Sequence, residues 1–418
     1  MLALDTVVNQ EVRDLTLEQA QKLVARRVPV VGYRCVPLRS ALGSVLRQDA
    51  ISDVDHPTAD ISRRDGYCLN ACQTSDASRV APVTLALRGD VAAGVLPDFG
   101  LAAGECARIP TGGVLPKGAD TVVMAEEVDL DGDSVLIAGP VPCGQHVLSR
   151  GVLARKGQRV LQAGRLLTPS ALGVLAAFGV EAVMVSGDIQ VGVFATGDEL
   201  VPREALPAGG EIRSSNTQML AALVDEMRLR VLDAEIADDS LDDIRQHIMD
   251  CAACEVIITT GGTGMGGRDL VPECLRRMGG EIVVHGLNMR PGKSVIFGRL
   301  GHQAVFCLPG NPVGCFVLFH MLVRPALLAM MGCLNPLPVP IPGRWIPSSR
   351  QSPPVTTLVP SRLLPDLGVD PLEPGELRNM LGLAQANSIV VLPEDREKIA
   401  HDGPVDVYPL GAIPWTGA

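Results

Sequence analysis

Four short runs combine turn-forming residues with groups that could hold an ion or a phosphate: Thr196-Gly197-Asp198-Glu199-Leu200, Gly261-Gly262-Thr263-Gly264-Met265-Gly266-Gly267-Arg268-Asp269, Arg290-Pro291-Gly292-Lys293-Ser294 and Pro309-Gly310-Asn311-Pro312. Glycines let a backbone approach an anion closely, and successive N–H groups can form a concave nest around it. The glycine-rich run is not a Walker motif, because no Gly-Lys-Ser/Thr closes it, nor is it a GxGxxG fingerprint in a first βα turn. Arg290 and Lys293 supply cations, and Pro and Gly make the turn between them rigid. Asn311 suits a helix N-cap and Pro312 the first helical position, which aims the positive end of a helix dipole at the same place. Asp198, Glu199 and Asp269 offer the oxygen ligands that Mg²⁺ takes. Singly, each run has a plainer use as a loop, a solvated turn or a cap. Together they suit a small phosphorylated anion held by Gly261, Gly262, Thr263, Gly264, Arg290, Lys293, Ser294, Pro309, Gly310, Asn311 and Pro312, with Mg²⁺ at Glu199 and Asp269.

The elements that must position these residues alternate. Short β-branched runs at Ile189–Ala195, Val231–Ile236, Val256–Thr260, Glu281–Val284, Ser294–Phe297 and Ala304–Leu308 are interleaved with helical patterns at Gln218–Glu226, Leu241–Ala252 and Leu270–Met278. That pattern predicts a doubly wound α/β domain with a largely parallel sheet. Three of the four runs follow strands directly, and open α/β sheets bind ligands beyond the carboxyl ends of their strands. Upstream, helical patterns at Thr16–Ala25, Val36–Ala50 and Leu166–Gly179 flank a stretch of short β runs from Asp65 to Ala138. Downstream, prolines crowd between Asn335 and Asp366, and strands follow at Ser388–Leu392 and Val405–Tyr408. The reading is an α/β multidomain chain. Residues 1–60 and 140–187 form an elongated helical/β domain, 61–139 an inserted β module, 188–334 the doubly wound domain, and 335–418 a small C-terminal β domain.

Composition bounds the partners. The balance of 36 Lys and Arg against 47 Asp and Glu gives a net charge of -11, and aromatic residues make up 3%. Neither a basic footprint nor stacking platforms are offered to a nucleic acid, nor a basic face to an anionic membrane. The apolar stretch Val313–Met331 carries His320, Arg324 and Pro325, so it reads as a buried helix ending near Val323 and a second short one, not as a membrane span. The N-terminus, with Asp5, Glu11 and Asp14, lacks the pattern of a signal peptide, and 11 scattered cysteines fit reduced thiols in the cytoplasm. Cys251 and Cys254 form a CxxC without further metal ligands nearby and read as two helix cysteines. His56, His146 and His285 read as surface or packing residues.

In this order the runs resemble the molybdopterin molybdenumtransferase family, the MoeA-type proteins and the gephyrin E domain. The likeness is carried also by Ala41-Leu42-Gly43-Ser44-Val45-Leu46, by Asp60-Ile61-Ser62-Arg63-Arg64-Asp65-Gly66-Tyr67, by Thr111-Gly112, by Pro116 through Glu126, and by Ser215-Asn216. The resemblance implies that the α/β domain binds molybdopterin. It further implies a homodimer with an active cleft shared between subunits, and conversion of adenylylated molybdopterin and molybdate to molybdenum cofactor and AMP with Mg²⁺. Asp65, Thr111 and Glu126 would face a cleft holding Glu199, Asp269, Arg290 and Lys293, with Asp65, Thr111, Glu199 and Asp269 catalytic. A molybdoenzyme or another cofactor-biosynthesis protein would be a natural partner.

Five motifs depart from the family pattern: Val152 and Leu153 replace an acidic pair after Arg150-Gly151, Gly264 and Gly314 each replace a serine, Ser294 replaces a proline, and Pro374-Gly375-Glu376 replaces Gly-Ser-Gly. Two alternatives therefore stand beside molybdate insertion. One is a non-catalytic carrier of molybdopterin or its cofactor. The other is an adenylyltransferase-like enzyme, which Gly261-Gly262-Thr263-Gly264 with Arg268-Asp269 also resembles.

Overall fold

Strands buried on both faces need apolar side chains on both, and the runs Gln190–Thr196, Val256–Thr260 and Gln303–Leu308 supply them. The computed structural model describes residues 11–262, 270–348, 350–351, 353–372, 380–394 and 398–411. Among them, seven strands form one sheet in the order Val12–Leu15, Glu281–Leu287, Ile296–Leu300, Gln303–Leu308, Val256–Thr260, Gln190–Thr196, Arg230–Ala237. Pairing is parallel throughout except for Ile296–Leu300, which runs antiparallel to both its neighbours.

Side chains alternate between two apolar cores, one on each face. Val191, Val193, Val256, Ile258, Phe306 and Leu308 pack with the helix Asn216–Glu226 and the Pro312–Met330 segment. Phe194, Ile257, Val305 and Cys307 pack with the helices Leu241–Asp250 and Leu270–Arg277. Period-two alternation with helices on both faces is the doubly wound arrangement.

The N-terminus departs from expectation. Residues 11–28 pack onto the α/β layer: Val12–Leu15 pairs in parallel with Glu281–Leu287, and Ala20 and Val24 join the first core. The helix Leu17–Arg27 begins on a capping box, Thr16 with Gln19, and Gln21 Nε2 donates to the Met321 carbonyl at 2.7 Å. The helical pattern at Val36–Ala50 is also overturned. Tyr33–Pro37 is a strand paired with Ala182–Ser186, only Leu38–Ser40 coils, and Gly43 at φ 79° turns the chain. Its apolar spacing instead serves a small cluster in which Ala41 and Leu46 meet Leu167, Leu175 and Val185.

The β-rich stretch folds, among the described residues, into six strands ordered Thr121–Met124, Gly66–Leu69, Glu105–Ile109, Val83–Asp90, Ser134–Ile137, Asp129–Asp131. Five strands beyond Ile341 close a barrel around Trp345, Val369, Val390 and Val407. Its strand Thr357–Leu363 carries Pro360 and had no clear strand signature. Cys251 and Cys254 close the Leu241–Asp250 helix as buried thiols, and no metal-holding group of three or more His, Cys, Asp or Glu occurs among the described residues.

Pro312–Met330 runs as one helical segment, with a wider π-turn at Phe319–Val323 and not the expected break. Pro325 has no N–H to give, and the widened turn just before it absorbs the mismatch. The segment is long and apolar enough to cross a membrane, but it is mostly buried against the sheet. His320 lies in the π-turn, 6% exposed, edge-on to Phe316 and Phe319, and its Nε2 has no partner among the described residues. Burial, helped by Arg324, pushes its pKa down to about 3 from 6.5. The unfolded chain therefore binds the proton more readily between those values, and stability falls as pH drops below 6.5. This one residue should cost about 2 kcal/mol by about pH 5. His320→Leu should remove that part of the acid sensitivity in urea unfolding midpoints measured at neutral and acid pH; an unchanged pH slope would refute the assignment.

Candidate active site

Three turns meet beyond the carboxyl ends of adjacent strands, and they meet so closely that only glycine fits. A Cβ on Gly261, at φ 93°, would lie 2.1 Å from the Thr196 carbonyl oxygen, and one on Gly262, at φ 61°, would lie 2.6 Å from Thr196 Oγ1. Gly261 N–H donates to the Leu308 carbonyl at 3.2 Å, which joins the second turn to the third. Asn216, at the start of its helix, ties them further. Its Nδ2 donates to Thr260 Oγ1 at 2.9 Å and to the Gly310 carbonyl at 2.8 Å, while Thr260 Oγ1 donates to the Pro309 carbonyl at 3.0 Å. Asn216 Oδ1, Thr196 Oγ1 and Thr259 Oγ1 are buried and have no hydrogen-bond partner among the described residues. Buried polar atoms rarely stay unmatched.

The first turn divides its two carboxylates. Asp198 Oδ1 accepts the Asp239 N–H at 3.1 Å and so holds the neighbouring loop. The exposed Glu199 carboxylate folds back over Gly197, where a Cβ would meet its oxygens at 2.7 and 2.8 Å. Of the described carboxylates here, Glu199 is thus the one available to a hard cation. Thr263, Gly264, Arg268 and Asp269 lie outside the described residues, as does Pro374-Gly375-Glu376.

Asn311 caps its helix as its sequence foretells, Oδ1 accepting from Val313 N–H at 2.9 Å and Gly314 N–H at 3.2 Å. Gly314 has a packing reason for lacking a side chain: a Cβ there would sit 2.8 Å from Pro309 Cγ and 3.3 Å from Pro291 Cβ. The Arg290–Ser294 turn is fixed from both sides. Arg290 N–H donates to the Thr356 carbonyl at 2.9 Å, and its own carbonyl accepts from Leu358 N–H at 2.7 Å. Between this turn, Pro309–Gly314 and barrel residues Thr357–Pro360 lies a cavity of about 480 Å³, lined by Arg290, Lys293 and Ser294. Both cations are exposed and neither has an ion-pair partner among the described residues.

A second cluster sits at one end of the six-stranded sheet. Asp65 Oδ1 accepts the Thr111 N–H at 2.7 Å, and that bond, with the Thr111 hydroxyl, holds the Asp65 carboxyl below its ordinary range. The Asp65 carbonyl accepts from Ala125 N–H at 3.2 Å, at the start of the turn bearing Glu126. Gly66 permits this closeness, since a Cβ would fall 1.9 Å from the Val123 carbonyl oxygen. Among the described residues, no hydrogen bond or ion pair joins Asp65, Thr111 or Glu126 to Glu199, Arg290 or Lys293 of the same chain. Val152 and Leu153 are each 58% exposed in a turn where Leu153 N–H donates to the His56 carbonyl at 3.0 Å.

Residue-type reasoning passed over Asn216, Thr196 and the barrel wall. Asn216 stood in a quoted motif, but its role needed the third dimension. Asn216→Ala should cost about 1–3 kcal/mol in urea unfolding, because two acceptors lose their donor. A loss under about 0.5 kcal/mol, within the range of ordinary surface changes, would show the tie to be idle.

Residues 15–179 match the MoeA N-terminal region (domain I and II), and residues 192–329 match a probable molybdopterin binding domain. The molybdopterin molybdenumtransferase of Staphylococcus aureus (strain COL) is 30% identical over 363 residues, covering 86% of each chain. Molybdopterin molybdenumtransferase 2 of Mycobacterium tuberculosis is 31% identical over 409 residues, 94% of this chain and 99% of its own. The crystal structure of the molybdopterin biosynthesis MoeA protein from Pyrococcus horikoshii OT3 superposes with a TM-score of 0.81 at 26% identity, over 95% of this chain and all of that one. A likeness that runs at this identity through nearly the whole length of its relatives leaves no separate origin for any large part of the chain, which belongs to the molybdopterin molybdenumtransferase family.

Proposed function

We propose that the chain inserts molybdenum into molybdopterin, taking adenylylated molybdopterin and molybdate and releasing AMP. The observation that carries this reading is the pairing of two unpartnered cations, Arg290 and Lys293, with three glycine turns at the strand ends of a chain in this family. Arg290 and Lys293 draw the phosphates and, with the Ser294 hydroxyl, fix them in the cavity. Gly261 and Gly262 keep the backbone close beside the Pro309–Pro312 turn, whose Pro309 and Asn311 line the cavity. Mg²⁺, held by Glu199 and Asp269, would offset the charge of the phosphoric anhydride while it breaks. A second copy supplies Asp65, Thr111 and Glu126 to the cleft, which is why one chain holds them in a separate sheet. The division into domains at residues 61, 140, 188 and 335, with the first strand and helix moved to the α/β domain, is part of this reading. So is a cytoplasmic location: all eleven cysteines lie among the described residues as free thiols, which suits a reducing compartment. The exposed Val152 and Leu153 favour one alternative, a carrier that binds the pterin without turning it over.

The test is AMP release from adenylylated molybdopterin with Mg²⁺, with and without molybdate. Release that depends on molybdate, and falls about 10-fold or more in kcat/KM for Arg290→Met or Lys293→Met, supports insertion at this site. Tight pterin binding with no AMP under any oxyanion supports the carrier, ATP-dependent adenylylation of free molybdopterin the adenylyltransferase. AMP release unchanged by Asp269→Asn and Lys293→Met would overturn the site.

A mixing experiment addresses the shared cleft. Asp65→Asn and Lys293→Met chains, each at least about 10-fold impaired alone, should together regain about a quarter of wild-type activity, since half the dimers are mixed and keep one intact cleft. No recovery on mixing, with dimers confirmed by light scattering, would place the two clusters in independent roles.

A further inference from the structure

A second cavity, of about 460 Å³, lies at the amino ends of the sheet strands, opposite the end that carries the glycine turns. It opens where the N-terminal unit meets the α/β unit, with Arg34 and Ser44 on one side and Arg228 and Arg230 on the other, while Ser186 begins the connecting segment between them. Arg34 is paired with Asp188 at 2.8 Å. The guanidinium groups of Arg228 and Arg230 have no hydrogen-bond or ion-pair partner among the described residues. Ser186 is 4% exposed, yet its hydroxyl makes no hydrogen bond among the described residues, and it lines the cavity. Arg228 is held at φ 59°, in the left-handed region that side chains other than glycine seldom adopt. Its stem lies across Gly43, where a Cβ would come 2.8 Å from Arg228 Cδ. The Gly43-Ser44 pair of the Ala41–Leu46 motif thus has a job there: the glycine admits the arginine and the serine adds a donor.

Two unneutralised guanidinium groups, a third paired with Asp188 and two free hydroxyls concentrate donors here in a protein of net charge -11. Asp225, the remaining charged lining residue, leaves the site one positive charge in excess. Such a set suits a compact divalent oxyanion, because guanidinium forks match tetrahedral oxygens and cannot lose their charge. The cavity volume lies in the range of small-molecule sites and exceeds what a bare ion fills. We propose that this junction is a binding site for the phosphate group of a small phosphate monoester, separate from the crevice at the strand ends.

Isothermal titration calorimetry with inorganic phosphate and with glycerol 1-phosphate tests this on the full chain. The comparison is between wild type, Arg228→Gln/Arg230→Gln and Lys293→Gln, the last to mark binding at the other cavity. Expected is a phosphate-binding event that Lys293→Gln retains and the double variant weakens at least 10-fold, with its affinity falling as salt rises. Tighter binding of glycerol 1-phosphate than of inorganic phosphate would support the monoester, and preference for the bare ion would overturn that part. Ser186→Ala, which removes no charge, should weaken binding several-fold and serves if the double variant fails to fold. Binding unaltered by either variant, or lost wholly in Lys293→Gln, would overturn the proposal.

Discussion

The candidate site depends on how closely three turns can approach one another. Gly261 stands where any side-chain carbon would overlap the Thr196 carbonyl, so the first and second strand ends close against each other without a gap. The same absence of bulk recurs at Gly314 between two prolines and at Gly66 over the Val123 carbonyl. What glycine costs in chain entropy is offset by the backbone hydrogen bonds and the Asn216 tie that the approach permits. The crevice is shaped by missing atoms as much as by present ones. Gly314 falls under the same constraint, and a serine at that position would require Pro309 or Pro291 to shift.

Electrostatics then work by omission. Some cations of this surface are engaged with a carboxylate, Arg150 with Asp55, Arg159 with Asp49, Arg344 with Asp366 and Asp402, whereas Arg290 and Lys293 have no ion-pair partner among the described residues. Such exposed pairs contribute little to stability. Asp198 and Glu199 show the same division on the acidic side, the first engaged with a neighbouring loop and the second free.

Much of the architecture was legible because period-two apolar runs and capping residues are local signals. The strands leading into the three turns, the Asn311 cap and the β-rich stretch could all be read in advance. What escaped were decisions made by distant contacts. Val12–Leu15 is too short and too polar to announce itself, and only Glu281–Leu287 makes it a strand. The apolar spacing of Ala41, Val45 and Leu46 fits a helix as well as a folded loop, and Gly43 settles the matter for the loop. Pro360 argued against the barrel strand it occupies. At the site, residue chemistry pointed to Arg290, Lys293 and Glu199, whereas Asn216 and the barrel wall became visible only with the chain folded.

The two hydrogen bonds that clasp Arg290 run to Thr356 and Leu358, and Leu358 shares an apolar core with the large sheet. The barrel is therefore coupled to the cation proposed above to receive the phosphate. If the barrel swings as a body, Arg290 travels with its backbone, and the anion site widens or narrows accordingly. By reciprocity, whatever binds Arg290 biases the angle of the barrel, and whatever grips the barrel tunes affinity at Arg290. A domain remote in sequence from the glycine turns thus becomes mechanically part of the cavity that Arg290 lines.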